Sequence, residues 1–382
     1  MDNKTVEERT IFLGIVGSTA YGTNTITSDE DIAGICIPTL DYYIGSKKFD
    51  QADKWLDESG EKIDKTIFSI DKALELITDN NPNCLDMLFL PERCVKICKP
   101  EWKKIVDIRD KFISKKCKHT FSGYAFAQLE KINTHRSYLL YPVKKPDRKQ
   151  YGLKDKSIFP DTQIEVISKL GIDYISFNDK DSFYKEMNQI VSNDMMTVFR
   201  KYLDPELVPL VMQEFIKGQK TYLRTFESIS STFLKEEYVD AAKNEMRYLT
   251  SYKNWKRYEE WKKNRNPKRQ ALEEKCGFDS KHASHLIRLE RMGIEILEGK
   301  GVLVDRTNID AEELLSIRMG NYKFETILEM SRKNQDKMDE LYTTSKIPNQ
   351  PDRNLIEQKK MEILEKYLFG KGNIWQRLSR LF

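Results

Sequence analysis

Two short stretches near the N-terminus carry side chains whose types and spacing suit them to chemistry. Gly17-Ser18 closes an apolar run, and Asp29-Glu30-Asp31 follows after ten intervening residues. On an extended chain alternate side chains share a face, so Asp29 and Asp31 point together. Two carboxylates held side by side repel unless a cation lies between them. Mg²⁺ is the natural choice, because it takes hard oxygen donors and keeps positions open for phosphate oxygens. A glycine ahead of a serine lets backbone N–H groups approach a polyphosphate, while the Ser18 hydroxyl donates a further hydrogen bond. Either piece alone is an ordinary turn, the acidic one of Asx type. Their order, between two apolar runs, predicts a site for a metal and a triphosphate.

Such a site needs strands to hold it. Runs of β-type residues at Ile11–Val16, Ile32–Ile37 and Ile63–Ser69, separated by Gly, Pro, Asn and Ser, predict three strands. A helix is expected over Ile70–Thr78, stopping before Asn80-Asn81-Pro82. Beyond about residue 100 the pattern turns helical, over Trp102–Lys116, Phe121–Leu140, Asp181–Tyr202, Glu206–Lys220, Lys235–Lys263 and Lys281–Leu297. Proline-containing connectors at Tyr141–Tyr151, Asn264–Arg269 and Ile347–Arg353 interrupt it. The expected class is α+β: a small mixed-sheet domain over 1–100, then a large, mainly α-helical region over 101–382.

Composition supports this frame. The 382 residues include 64 Lys+Arg against 60 Asp+Glu, a formal net charge of +4, too balanced for a tail-driven nucleic-acid binder. An apolar fraction of 39% with 11% aromatics can bury sizeable cores, which excludes a disordered chain. The polar start lacks the basic and apolar regions of a secretory signal, and no apolar run approaches the ~20 residues that span a bilayer. A cytoplasmic location is expected. The six cysteines show no paired CxxC spacing; Cys94 and Cys98 have no second pair nearby to complete a zinc site, so buried or free thiols are expected and zinc is not.

Val16-Gly17-Ser18, ten residues and then Asp29-Glu30-Asp31-Ile32 resembles the signature of the DNA polymerase β-type nucleotidyltransferase superfamily. The fuller string GSTAYGTNTITSDEDIAGI resembles its RNA-repair-pathway (RlaP-like) branch of bacteria and their phages, although Glu30 departs from the apolar residue usual at that position. The resemblance implies a polymerase β palm-like fold in the first domain and a third carboxylate on a neighbouring strand. Asp64 is the candidate, with Glu61 and Asp71 as alternatives. Asp86, in the Asn-Pro-containing segment that follows, is read as a support for that turn or a helix-surface residue. The segments 265–289, 314–320 and 347–352 resemble the helical domain of the same family, whereas 154–250 matches nothing. The expectation for 251–382 is a helical domain completing the nucleotide site.

Lys281, His285 and Arg288 fall at i, i+4 and i+7 and so share one helix face, beside an apolar face of Ala283, Leu286, Leu289 and Gly293. A cationic stripe of this kind is what a triphosphate would need opposite the metal. Arg318 reads either as a second phosphate contact or as a buried ion-pair partner. The connector with Lys144, Lys145, Arg148 and Lys149, interleaved with Tyr141 and Tyr151, could hold nucleic-acid phosphates and stack bases, or be a solvated linker. The segment Tyr252–Trp261 reads as helix packing.

The resemblance and the residues together imply transfer of a nucleoside monophosphate from an NTP to an acceptor hydroxyl. Asp29, Asp31 and Asp64 would hold two Mg²⁺, or Mn²⁺ in their place, and Gly17 and Ser18 would bind phosphates. The expected acceptor is an RNA 3′ end such as that of a tRNA. The alternatives are a hydroxyl on a protein or small molecule, and nucleotide binding without turnover.

Overall fold

The computed structural model describes residues 1–26, 28–56, 59–155, 236–265 and 267–370. The helices expected over Asp181–Tyr202 and Glu206–Lys220 lie outside the described residues. The chain forms two compact units, one combining Met1–Leu140 with Asn266–Phe382 and the other comprising Tyr141–Arg265. Residue 100 falls inside the first unit.

The first unit is built on a mixed five-stranded sheet. Strands β1 (Thr10–Val16), β2 (Asp31–Cys36), β3 (Gln51–Ala52), β6 (Lys65–Ser69) and β7 (Val95–Cys98) lie in the order β3-β6-β2-β1-β7. A separate two-stranded pair joins β4 (Trp55–Leu56) to β5 (Lys62–Ile63). β1 reads Thr-Ile-Phe-Leu-Gly-Ile-Val and is mostly buried, as a strand covered on both faces requires. It pairs antiparallel with β2 and β7, whereas β2 pairs parallel with β6. The three strands read in the sequence are therefore the three central to the site. β3 and β7 are short edge strands whose residues alternate too briefly to announce themselves.

Helix α1 (Asn3–Glu8) precedes the sheet, α2 (Gly17–Tyr21) follows β1, and α3 (Asp41–Ile44) follows β2. α4 (Ile70–Thr78) has the bounds expected of it; Ser69 caps it by accepting from Lys72 N at 3.1 Å. α5 (Pro82–Leu85) is capped by Asn81. The helix expected over Trp102–Lys116 is not continuous. α6 (Pro100–Val106) ends, a 3₁₀ turn covers Arg109–Phe112, and α7 (Cys117–Leu140) begins afresh. The cause is Asn80, buried with a φ of 53°. Its amide donates to the Phe112 carbonyl at 2.6 Å and accepts from Ser114 Oγ at 2.8 Å. Those bonds hold the chain in a turn where a helix would have sealed the same groups to itself.

The helical part of the first unit comprises α9 (Pro267–Cys276), α10 (Ser280–Leu297), α11 (Ala311–Arg318), α12 (Phe324–Thr344) and α13 (Arg353–Phe369); α8 (Glu236–Asn264) belongs to the second unit. α10 is the pivot, with Ala283, Leu286, Ile287, Leu289, Met292, Gly293, Ile296 and Leu297 all buried and α7, α11 and α12 packed around it. One hydrophobic core takes in β1, β2, α4, α7, α10 and α13 together. Burying each large apolar side chain contributes about 1.5–3 kcal/mol, so the sheet and the distant C-terminal helices stabilise one another. In the second unit, the 3₁₀ turn Arg148–Tyr151 packs on α8.

Candidate active site

β1 delivers the chain to Gly17, which has a φ of +67°. A Cβ there would run into the Asp31 carboxylate, so both the backbone conformation and the space demand glycine. Ser18 sits half-buried in α2 and its carbonyl accepts from Thr23 N at 2.8 Å. Gly22, left-handed at φ 71°, ends this short helix.

Asp31 and Asp64 meet at the start of two parallel strands. Asp31 opens β2 opposite Val16, and the neighbouring Ile32 donates its N–H to the Asp64 carbonyl at 2.9 Å. Asp64 stands one residue ahead of β6, beside Asp31. Burial pushes the Asp31 carboxyl above its usual range. The Asp64 charge adds to this, Lys281 opposes it, and a side-chain hydrogen bond to Asp64 and the charge of Asp29 raise it further. The structure thus sets Asp31 and Asp64 side by side next to Gly17, with Asp29 and Lys281 near enough to act on Asp31 through their charges. Of the alternatives for the third carboxylate, Asp71 is engaged elsewhere, 3.3 Å from Lys360, and Glu61 is exposed two residues before the β5 end. An oxygen-only pair of carboxylates, one with its proton affinity raised by burial and then by its neighbour, with a third carboxylate close by, suits a hard divalent cation.

The face of α10 bearing Lys281, His285 and Arg288 is shared, as its spacing predicts, but it turns inward against α2. Lys281 and His285 are half-buried and Arg288 is only 5% exposed. Burial depresses the His285 imidazole well below its usual value, and Arg288, Lys281, His282 and Arg318 depress it further, so it is neutral at pH 7. The Arg288 guanidinium lies 3.7 Å above the ring of Tyr21, whose hydroxyl donates to Asp86 at 2.5 Å. Burial raises the Asp86 carboxyl and Arg288 pulls it back. Arg288 is no surface residue and lies in the layer beneath α2. Asp86 is likewise no helix-surface residue; it is 2% exposed and belongs to the same layer.

Arg318 has a role that the sequence reading did not name. It donates to the Thr23 carbonyl at 2.8 Å and to Ser28 Oγ at 3.1 Å, bracketing the loop between the Gly-Ser turn and the acidic motif. Two contributors escaped the sequence reading. Tyr21 looked like part of a turn. Arg306, fully buried, binds Glu295 at 2.8 Å and Asp310 at 2.7 Å and donates its N–H to the Tyr21 carbonyl at 3.1 Å. An arginine directly after Val302-Leu303-Val304-Asp305 was the signal that could have found it.

At the start of α10 a second cluster lies apart from the carboxylates. Asp279, 4% exposed, caps the helix through His282 N at 3.1 Å and also meets the imidazoles of His135 and His282. Burial alone would raise its carboxyl, but the His135 hydrogen bond and the His282 ring hold it down to about 2. Burial also lowers His282 to about 4, against the pull of Asp279.

The basic connector lies in the second unit. Lys144, Lys145 and Lys149 are exposed and Arg148 is half-buried. Lys145 sits 5.2 Å from the Trp255 ring and Arg148 4.9 Å from the Tyr248 ring, with Tyr252 stacked on Tyr248 and tilted against Trp255 along α8. The packing role expected of Tyr252–Trp261 therefore comes with cations laid over the rings.

The N-terminal part of the chain is similar to a known family. Residues 2–145 match the family described as RlaP, RNA repair pathway DNA polymerase beta family. The RlaP-matched region contains Gly17, Ser18, Asp29, Asp31 and Asp64 and ends before α8, so Lys281, His285 and Arg288 lie outside it. It is similar to polymerase β-type nucleotidyltransferases, which use divalent metals. A protein of Enterobacteria phage T4, described as an uncharacterized 38.9 kDa protein in the nrdC-mobD intergenic region, is 33% identical over 138 residues. That likeness takes in 34% of this chain and 41% of the phage protein. No solved structure matches the chain. No helix among the described residues is long and apolar enough to cross a membrane.

Proposed function

We propose that this protein is a metal-dependent nucleotidyltransferase that moves a nucleoside monophosphate from an NTP to an RNA 3′ hydroxyl, with release of pyrophosphate. The observation that carries the reading is the pairing of Asp31 with Asp64 beside the Gly17-Ser18 turn, with Asp29 two residues before Asp31. The RlaP-matched region supports the reaction class, and the family's description supports RNA as acceptor.

In this reading residues 1–100 supply the catalytic domain, and the part of 251–382 from α9 onward completes the nucleotide site. Asp29, Asp31 and Asp64 would hold Mg²⁺ or Mn²⁺, which supplies charge stabilisation at the transferring phosphoryl group. Gly17 lets the backbone approach the β and γ phosphates, and Ser18 donates to them. Lys281 offsets phosphate charge from α10, and neutral His285 donates or accepts at the phosphate edge. Asp64, exposed beside Asp31, takes the proton of the acceptor hydroxyl as its oxygen attacks the α-phosphorus. The bond from that phosphorus to the β-phosphate oxygen breaks in line. Arg288 acts indirectly, by holding Tyr21 and hence α2. Lys144, Lys145, Arg148 and Lys149 would meet acceptor phosphates, a contribution that weakens as salt rises.

The test is incubation with each α-labelled NTP and Mg²⁺ in the presence of total RNA or of protein extract. Label on RNA, abolished by Asp29→Ala and by Asp31→Ala in folded protein, is the expected result. Label on protein would replace the acceptor and keep the chemistry. Label nowhere, or full activity in either variant, would sink the proposal.

A further inference from the structure

The cluster at the start of α10 has the geometry of a second metal centre. His135 Nδ1 lies 3.3 Å, and His282 Nε2 3.5 Å, from the same oxygen, Asp279 Oδ2. Ligands on a tetrahedral zinc at bond lengths of about 2.0–2.1 Å stand roughly 3.3–3.4 Å from one another. Two edges of such a tetrahedron are therefore already drawn. One ligand atom from each of the three residues lies within 4.8 Å of the others, so a modest ring rotation closes the third edge.

The hydrogen bonds around the cluster point the same way. His282 Nδ1 lies 2.7 Å from Gln128 Oε1 and donates to it, which leaves the Nε2 lone pair facing the carboxylate. A lone pair aimed at an anionic oxygen is unfavourable until a cation comes between them. An outer amide or carbonyl that fixes the ring of a ligating histidine is the usual second layer of such sites. Asp279 Oδ1 is occupied with the helix cap at His282 N, so only Oδ2 is available. The His135 and His282 side chains are 23% and 21% exposed, so an ion can enter.

We infer that His135, Asp279 and His282 form a binding site for one Zn²⁺-class ion, with a fourth position left for water. Imidazole nitrogens select a borderline-soft transition ion over Mg²⁺, so the site is chemically distinct from the carboxylates of the proposed active site. It draws on no cysteine, which is why cysteine spacing in the sequence gives no sign of it. The bound ion ties α7 to the first turn of α10, two residues from Lys281, and so fixes the helix that faces the carboxylates. Lys131 and Lys281 stand near His282 and hold the affinity below that of a closed structural zinc site.

The test uses the full chain, stripped of metal and dialysed against Zn²⁺, Mg²⁺ or Co²⁺. Elemental analysis is expected to give about one zinc per chain, and Co²⁺ should produce the visible absorption of a tetrahedral nitrogen–oxygen site. His135→Gln, His282→Gln and Asp279→Asn, the last retaining a capping side chain, should each lose the ion. Gln128→Ala should weaken it by about 10–100-fold. The double variant Asp29→Asn/Asp31→Asn should bind zinc as the unaltered protein does, which separates this site from the proposed catalytic one. Should a histidine variant fail to fold, the Co²⁺ spectrum of the unaltered protein decides alone. Absence of zinc uptake, an octahedral cobalt spectrum, or zinc that survives His135→Gln or departs with the Asp29/Asp31 pair would overturn the inference.

Discussion

The guanidinium of Arg288 lies flat over the ring of Tyr21 at 3.7 Å, and Tyr21 in turn donates to buried Asp86. This stack joins α10 to the short helix that carries Ser18. Among the described residues neither Arg288 Nε nor Asp86 Oδ1 has a hydrogen-bond partner, so the trio depends on its few contacts. Removing Arg288 leaves a buried carboxylate without its cation, and Arg288→Ala is expected to cost about 3–5 kcal/mol in urea unfolding. Tyr21→Phe, which loses one hydrogen bond to Asp86, should cost about 1–3 kcal/mol. Arg288→Lys should restore little, because an ammonium cannot spread over the ring as the planar guanidinium does.

Gly17→Ala tests the turn. The left-handed φ alone costs an L-residue about 1–2 kcal/mol, and the added methyl pushes the Asp31 carboxylate aside. Nucleotidyl transfer should fall by about 10²-fold, as expected when a reacting geometry moves by an ångström, while circular dichroism stays unchanged.

Asp31→Asn should uncouple activity from stability. Asp31 has its folded pKa raised, by burial and then by Asp64 and Asp29, so its ionised form destabilises the metal-free fold at neutral pH. That cost shrinks as pH falls through the folded pKa and disappears below the unfolded value of about 3.9. The variant should therefore melt higher than the unaltered protein at pH 7 without metal, and the gap should close towards pH 4. Saturating Mg²⁺ should reverse the order at pH 7, since only the carboxylate binds it. Melting curves across this pH range, with and without Mg²⁺, check the sign.

Arg318→Ala should free the loop that separates the Gly-Ser turn from the acidic pair. Its charged hydrogen bonds to Thr23 and Ser28 are worth about 1.5–3 kcal/mol each at most. Hydrogen exchange should quicken around Thr23–Ser28 and little elsewhere, with transfer falling in proportion.

Much of this was legible in the residues themselves. Isoleucine and valine runs located β1, β2 and β6 to within a residue or two, and Gly17, Asp29 and Asp31 stood out by type and order. Asp64 needed a family likeness, because a lone acid between two lysines looks like any solvated strand edge. What stayed hidden depends on long-range partners. Asn80 breaks a helix some 30 residues away by taking its carbonyl, and no periodicity near Phe112 could show that. The spacing of Lys281, His285 and Arg288 gave their common face correctly, but whether that face meets water or α2 is a property of the packed core. His135 and His282 are far apart in sequence, and only the α7–α10 contact makes them neighbours.

The Arg318 bracket also sets an order of events during synthesis. The loop it holds is made among the first thirty residues, but the arginine leaves the ribosome only after the whole second unit has been translated. A nascent chain that has completed the sheet and its carboxylates still has an unfastened loop between them. Catalytic competence would therefore arrive late and all at once, and a chain cut short within the second unit would hold the acidic residues without being able to use them.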